Sequence, residues 1–211
     1  MQLLDKINSP DDIKGLNVKQ LEQLSQEIRE FLIDSVSKTG GHLASNLGAV
    51  ELTLAIHKVF SIPNDKLVFD VGHQCYTHKI LTGRKDKFNT LRQFNGISGF
   101  PKTYESTSDA FVAGHSSNSI SAALGIATAF SLQQKDNVAV CVIGDGSFTG
   151  GEAYEAINNA GRSNARLVII LNHNEMSISK NVGGFSRYLT TIRAKPWYLK
   201  LKSGTEKVLD H

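Results

Sequence analysis

The first third of the chain carries apolar residues at helical spacing. A stripe of leucine and isoleucine between residues 21 and 32 predicts an amphipathic helix. Asn17, with Gln20 at the capping-box position, predicts where this helix begins, and two glycines predict its end near Thr39. Helical spacing resumes over 48–60, so two helices are expected before the first strand.

Apolar runs and helical segments alternate through the rest of the chain. Strands are predicted at 66–71, 137–143 and 166–171, and helices at 119–132 and 151–160. The last two strands enclose a helix, and such a crossover predicts parallel neighbouring strands. The sequence therefore predicts an α/β fold with a parallel sheet flanked by helices. A long irregular excursion is expected over 83–109, which is rich in glycine, proline, serine and charge.

Composition favours a folded protein and excludes several classes of partner. Apolar residues make up 40% and charged residues 20% of the chain, which is ordinary for a globular domain. The net charge of +3 is spread along the sequence, so no nucleic-acid partner is expected. No run approaches the ~20 apolar residues that span a bilayer, and the first residues do not resemble a signal peptide. No membrane partner is therefore expected. The two cysteines, Cys75 and Cys141, are too few for a disulfide framework, which predicts reduced thiols and a cytoplasmic protein.

Polar clusters follow the two strands of the crossover. Gly144, Asp145 and Gly146 come after the first strand, and Asn172, His173 and Asn174 come after the second. Ligands gather at the carboxyl ends of parallel strands. A carboxylate from Asp145, a neutral oxygen from Asn174 and glycines that let a phosphate approach are typical of a Mg²⁺ and phosphate site. The triplet Gly-Asp-Gly also occurs in ordinary turns, so an unremarkable turn remains the alternative at this point.

Longer motifs around these clusters resemble a known family. The pattern is similar to the thiamine-diphosphate signature that transketolases, pyruvate decarboxylases and their relatives share. Further stretches resemble, in the same order, motifs of the 1-deoxy-D-xylulose-5-phosphate synthase family: GGHLASNLGAVELTLAIH (40–57), DVGHQCYTHKILTGR (70–84), GISGFPKTYESTSDAF (96–111), GHSSNSISAALG (114–125), VIGDGSFTGGEAYEAINNAG (142–161) and LNHNEMSISKNVGG (171–184). The resemblance covers nearly the whole chain and implies a thiamine-diphosphate-binding fold.

The resemblance also implies roles for individual residues. Asp145, Asn174 and the backbone carbonyl of Met176 would hold Mg²⁺, and His73 would contact the cofactor. His42 matches a family histidine that assists proton handling near the reacting centre, work that suits an imidazole. The cofactor's diphosphate would lie against a further set of residues: Gly114, His115, Ser116, Gly146 and Ser147. Asn174 would also contact the cofactor. For each histidine the alternative is an ordinary hydrogen-bonded packing residue, and His57 is expected to be a surface or packing residue.

Four positions depart from the family's usual pattern. His173 stands where Asp is usual, Ser147 where Ala is usual, Glu152 where Met is usual, and Asn118 where Thr is usual. None of these changes removes an implied metal ligand. His173 puts in doubt only the electrostatics around the metal.

The implied activity is the condensation of pyruvate with D-glyceraldehyde 3-phosphate, with loss of carbon dioxide, to 1-deoxy-D-xylulose 5-phosphate. This step feeds isoprenoid, thiamine and pyridoxal biosynthesis in the family, whose full-length members are expected to be homodimers. Residues 1–211 are expected to form the diphosphate- and Mg²⁺-binding domain, with 190–211 a connecting tail. The family's pyrimidine-binding and carboxyl-terminal domains are expected to be absent, which predicts a chain that is inactive alone. The alternatives are the small subunit of a split transketolase and a non-catalytic cofactor-binding module.

Overall fold

The computed structural model describes residues 2–173 and 184–209, and three parallel strands form one sheet within these ranges. The strands are β1 (Lys66–Phe69), β2 (Ala139–Gly144) and β3 (Leu167–Asn172), and β2 lies between the other two. Lys66 lies opposite Ala139, which lies opposite Leu167. The strands β1 and β2 are almost entirely buried, as expected when both faces of a parallel sheet are covered.

The described ranges also contain helices, numbered in chain order. They are α1 (Val18–Thr39), α2 (Leu43–Leu47), α3 (Val50–Val59), α4 (Tyr76–Lys79), α5 (Ser119–Leu132), α6 (Gly151–Ala160), α7 (Gly184–Arg193) and α8 (Pro196–Leu209). A wider turn, Ile80–Arg84, continues α4, and short 3₁₀ turns cover Leu3–Lys6, Pro10–Ile13, Lys85–Thr90 and Ser147–Thr149.

Helix α1 follows the sequence prediction at both ends. The side chain of Asn17 accepts the backbone N–H of Gln20 at 3.0 Å, and Gln20 accepts the N–H of Asn17 at 2.9 Å, which completes the capping box. The stripe that faces the core is fully buried at Leu24, Ile28 and Leu32. This burial anchors α1, because most helical stability in proteins comes from packing of an apolar face.

Helix α5 covers the sheet, and small side chains allow its close approach. Ala123 and Ala127 are fully buried, and α5 contacts all three strands as well as α6. The crossover from β2 through α6 to β3 joins neighbouring parallel strands, as the sequence predicted. The α/β fold class with a parallel sheet flanked by helices is therefore confirmed.

The excursion over 83–109 is irregular, as predicted, but it packs into the body of the protein. Leu91 and Ile97 are buried in the main apolar core, and Asp109 is buried as well. Sequence periodicity cannot reveal such burial, because the chain here has no repeating conformation.

The chain divides into two compact units, Met1–Asn174 and Glu175–His211. The second contains α7 and α8, so the tail predicted at 190–211 is largely helical. Pro196 stands at the first position of α8, where its missing N–H and fixed φ favour helix initiation. That 190–211 connects to further domains stays a prediction. In the described ranges no helix is long and apolar enough to cross a bilayer.

Candidate functional site

Two histidines from different parts of the sequence meet at the edge of the sheet. His42 precedes α2 and His73 follows β1, and their ring centroids lie 5.4 Å apart. The buried side chain of Asn46 ties the two segments together, because its amide donates to the carbonyl of His42 at 2.6 Å and to that of His73 at 2.8 Å. The Asn46 carbonyl oxygen accepts the N–H of Tyr76 at 2.8 Å. Asn46 thus fixes the backbone of the two histidine-bearing segments through three hydrogen bonds.

The backbone before His42 passes very close to a buried ring. Gly41 has a φ of +146°, and a Cβ at this position would lie 2.7 Å from the hydroxyl oxygen of Tyr76. Only glycine fits such an approach without displacing the ring. The N–H of His42 points to the same hydroxyl, at 3.4 Å.

Both histidines favour the neutral form. Burial lowers the pKa of His42, and the charge of Arg92 lowers it further. Burial also lowers the pKa of His73, with a smaller effect from His42, while Asp70 opposes the shift. The Nδ1 atoms of both rings are buried and have no hydrogen-bond partner among the described residues. Neutral imidazoles with an unused nitrogen are suited to bind a ligand or to exchange a proton with it.

Asp70 joins the end of β1 to the start of α5. Its carboxylate accepts the N–H of Ser117 at 2.9 Å and the N–H of Ser119 at 3.1 Å. Neither Ser116 nor Ser117 caps this helix with its side chain. Asn118 is the capping position and makes no side-chain cap. The carboxylate of Asp70 instead accepts the N–H of Ser119, the first residue of the helix.

Ser117 links this helix start to the turn after β2. Its φ is +74°, an unfavourable conformation for serine, and its hydroxyl donates to the carbonyl of Ser147 at 2.7 Å. A Cβ at Gly150 would collide with the Ser117 hydroxyl. The bonds to Asp70 and Ser147 therefore hold a strained residue between two loops, which is common at functional sites.

Residues expected to line a diphosphate lie on both sides of this link. Gly114, His115 and Ser116 are exposed just before Ser117, and the Gly114 backbone has a φ of +148° with open space where a Cβ would stand. On the other side, Gly146 and Ser147 begin the turn that leads into α6. The start of α5 and the turn before α6 are thus joined by one link. The N-terminus of a helix generally favours an anion, and at α5 the carboxylate of Asp70 already takes that place.

Asp145 lies at the end of β2, as predicted. It is 5% exposed, and its Oδ2 lies 2.7 Å from Nδ1 of His173 at the end of β3. The other two implied metal ligands, Asn174 and Met176, lie outside the described residues. Within the described ranges no group of three His, Cys, Asp or Glu side chains could hold a metal. A Mg²⁺ site bound through one or two carboxylates plus phosphate oxygens does not require such a group.

The residues at these strand ends fit a ligand that carries a diphosphate and a divalent cation at one end. The other end of such a ligand would lie near the two histidines. Asp145 offers a carboxylate, the two loops offer glycine-framed backbone, and His42 and His73 offer buried ring nitrogens. Sequence reasoning did not identify Asn46 or the cap by Asp70. A polar Asn inside the short apolar segment LASNL was the available signal for the first.

Comparison with known proteins gives a consistent result. A family model described as 1-deoxy-D-xylulose-5-phosphate synthase matches residues 4–211. A protein of that name from Caldanaerobacter subterraneus is 60% identical over 208 residues, which are 99% of this chain and 33% of the relative. One from Clostridium beijerinckii is 60% identical over 211 residues, 100% of this chain and 34% of the relative. The chain thus spans about a third of the length of these relatives.

The fold is also found in a solved structure of low sequence similarity. A transketolase mutant from Pichia stipitis superposes with a TM-score of 0.70 at 21% identity, over 81% of this chain and 30% of that one. At this identity the likeness concerns the fold alone.

Proposed function

Because the chain belongs to the 1-deoxy-D-xylulose-5-phosphate synthase family, we propose that it binds the diphosphate and Mg²⁺ of thiamine diphosphate. The link between Ser117 and Ser147 carries this proposal. It joins the loop that contains Gly114, His115 and Ser116 to the turn that contains Asp145 and Gly146, so that the backbone and the carboxylate proposed to bind the metal lie on two linked loops.

The residues of this chain would hold the cofactor in two ways. Gly114, His115, Ser116, Gly146 and Ser147 would surround the diphosphate. Asp145 would bind Mg²⁺, together with Asn174 and the carbonyl of Met176, and Asn174 would also contact the cofactor. When bound, thiamine diphosphate supplies a carbon centre that stabilises negative charge on a former carbonyl carbon.

His42 and His73 would serve the reacting end. Their lowered pKa values keep the rings neutral near neutral pH, so each can accept a proton at one nitrogen while it donates from the other. His73 would contact the cofactor, and His42 would orient the pyruvate-derived group and assist proton transfer. Asn46 would keep the two rings at a fixed separation, because its side-chain amide donates to the backbone carbonyls of both histidines.

The proposed reaction of the complete enzyme condenses pyruvate with D-glyceraldehyde 3-phosphate, releases carbon dioxide and yields 1-deoxy-D-xylulose 5-phosphate. The chain is about 60% identical to relatives named 1-deoxy-D-xylulose-5-phosphate synthase, which favours this reaction over a transketolase reaction. The similarity to transketolase, at 21% identity, concerns the fold alone. We propose a cytoplasmic location, supported by the thiols of Cys75 and Cys141, which are buried and unpaired and whose pKa values burial raises to about 12. Assembly as a homodimer stays a prediction from the resemblance.

The test measures cofactor binding and turnover separately. Calorimetric titration of the 211-residue chain with thiamine diphosphate is expected to show binding that requires Mg²⁺ and is lost in Asp145→Ala. The substitution Lys87→Ala is the control, because this residue is exposed on a 3₁₀ turn and belongs to none of the proposed site segments. Assay of the same samples with pyruvate and D-glyceraldehyde 3-phosphate then separates a self-sufficient enzyme from a binding module. Binding that is absent, or unaffected in Asp145→Ala, would overturn the proposal.

A further inference from the structure

A buried row of hydrogen bonds runs from α3 to the end of the irregular excursion. Nε2 of His57 lies 2.9 Å from Nδ1 of His78, and Nε2 of His78 lies 3.0 Å from Oδ1 of Asp109. None of these three residues is more than 3% exposed. Arg84 completes the row, since its two terminal nitrogens donate to the two oxygens of Asp109 at 2.7 and 2.8 Å.

The position of each proton in this row follows from the partners. Burial would raise the pKa of Asp109, but hydrogen bonds from His78 and Arg84 hold it below its usual range, so the carboxylate only accepts. Burial lowers the pKa of His78 and keeps its ring neutral. His78 therefore carries its proton on Nε2 and accepts on Nδ1, and His57 must donate from Nε2. All donors point toward Asp109.

A second ion pair stands beside the row. Lys79, whose side chain is fully buried, donates to Glu105, and Arg84 reaches the same carboxylate at 3.5 Å. Two cations thus face two carboxylates, Glu105 and Asp109, which balances the buried charge. Ion pairs of this kind give little net stability but fix one arrangement, because any other leaves a buried charge without a partner.

Both carboxylates also hold the backbone of residues 98–102. Asp109 accepts the N–H of Lys102 at 2.7 Å, and Glu105 accepts the N–H of Ser98 at 2.7 Å. The segment between these two bonds lies against the candidate site. The ring of Phe100 lies 6.0 Å from that of His42.

The next residue of the segment touches the strand end that carries His73. Gly72 has a φ of +85°, and a Cβ there would lie 2.5 Å from Cδ of Pro101. Phe100 and Pro101 are therefore placed against both histidine-bearing segments, and the two anchors of Ser98 and Lys102 decide where they lie.

We propose that the buried row of His57, His78 and Asp109 positions residues 98–102 and, through Phe100 and Pro101, sets the orientation of His42 and His73. None of the three side chains contacts the site histidines directly, so they are positioning residues. The importance of this orientation for cofactor binding rests on the proposed function. The orientation itself can be measured without cofactor.

A pair of substitutions at His78 tests the proposal. His78→Phe keeps a ring of similar size but removes both hydrogen bonds, whereas His78→Gln retains one donor and one acceptor. The first readout is the Cε1–H resonance of His42 in the chain without cofactor, at about pH 8, where ordinary imidazoles are neutral. It is assigned by its loss in His42→Asn. The second readout is the affinity for thiamine diphosphate with Mg²⁺.

His78→Phe is expected to shift the His42 resonance, to speed exchange of the Lys102 amide and to weaken cofactor binding about 10-fold, because small displacements at a binding site are costly. His78→Gln is expected to restore all three toward the original values. Protection of the β2 amides controls for general loss of structure.

Two results would overturn the inference. One is a His78→Phe protein that unfolds at lower temperature while the His42 resonance stays in place, which would make the row purely structural. The other is a failure of His78→Gln to restore the resonance. If His78→Phe does not fold, His57→Phe removes only the donor to His78 and is judged by the same two readouts. Absence of cofactor binding in the unsubstituted chain would instead contradict the proposed function, and the resonance would still decide the positioning.

Discussion

His173 and Asp145 form a hydrogen-bonding pair across the ends of neighbouring strands, with Nδ1 and Oδ2 2.7 Å apart. Asp is usual at position 173 in the family that the sequence resembles, so an imidazole here replaces a second carboxylate beside the proposed metal ligand. The pair holds the Asp145 side chain in one orientation, as outer partners of ligating carboxylates generally do.

Removal of this imidazole is expected to weaken Mg²⁺-dependent binding of thiamine diphosphate. We expect His173→Ala to reduce the affinity about 10-fold, because Asp145 loses the partner that orients it. Calorimetric titration at fixed Mg²⁺ concentration measures the change, with Lys87→Ala as the control. An affinity equal to that of the unsubstituted chain would show that His173 does not orient the carboxylate.

Arg84 is expected to be essential for stability. Its side chain is 5% exposed and bridges Asp109 and Glu105, so Arg84→Leu leaves buried carboxylates short of a partner and lowers the free energy of unfolding by about 3–5 kcal/mol. Arg166 forms an exposed pair with Asp136, with a side chain that is 58% exposed. Arg166→Leu is expected to cost less than about 1 kcal/mol. Urea unfolding of both variants makes the comparison, and similar losses would contradict the difference in burial.

The buried histidine row also predicts how stability changes with pH. Burial, assisted by His78 and Lys14, lowers the pKa of His57 well below its ordinary value. The unfolded chain takes up a proton there below about pH 6.5 and the folded chain does not, so stability is present at higher pH and is lost as the pH falls. This loss amounts to about 1.4 kcal/mol between about pH 7.5 and about pH 5.5 for one such histidine.

His57→Phe should therefore flatten the stability profile in this window. Denaturant unfolding at several pH values measures the slope in both proteins. The carboxylate of Asp109 acts at lower pH, because its folded pKa lies below the ordinary value of about 3.9 and its contribution is lost only in acid. Equal slopes for the two proteins near pH 6.5 would show that His57 is not kept neutral by the fold.

Two glycines with opposite surroundings give a matched pair of substitutions. Gly150→Ala places a Cβ against the hydroxyl of Ser117 and breaks its bond to Ser147, so both stability and cofactor affinity are expected to fall. Gly125 lies exposed within α5 with no atom near its Cβ position. Gly125→Ala is expected to raise stability by about 0.5–1 kcal/mol and to leave affinity unchanged. Thermal unfolding and calorimetric titration test both, and a neutral Gly150→Ala would contradict the proposed link between the loops.

Local patterns in the sequence predicted the regular elements well where local interactions decide them. Helix α6 occupies the predicted 151–160, and α5 occupies the predicted 119–132, because apolar spacing and flanking glycine or serine define both. The predicted capping box at Asn17 forms for the same reason: both partners lie within four residues.

Local patterns could not predict interactions between residues that lie far apart in the sequence. His57 lies on a short helix at a place where a polar residue predicts surface or simple packing, and only His78, 21 positions later, makes its complete burial favourable. At the start of α5 the N–H of Ser119 donates to the carboxylate of Asp70, which lies 49 positions earlier in the chain. The candidate site could therefore be placed at the strand ends from sequence, but the side chains that support it could not.

The order of the strands also bears on how the protein folds. Strands β2 and β3 pair residue 139 with residue 167, whereas β1 and β2 pair residue 66 with residue 139. Closing the longer loop costs more chain entropy, so the β2–β3 crossover can form before β1 joins it. Asp70 lies directly after β1, and the loop containing Ser117 gains its anchor only when β1 has docked. Competence to bind a ligand at this edge therefore depends on the docking of β1, which makes the longer of the two strand connections a requirement for the site.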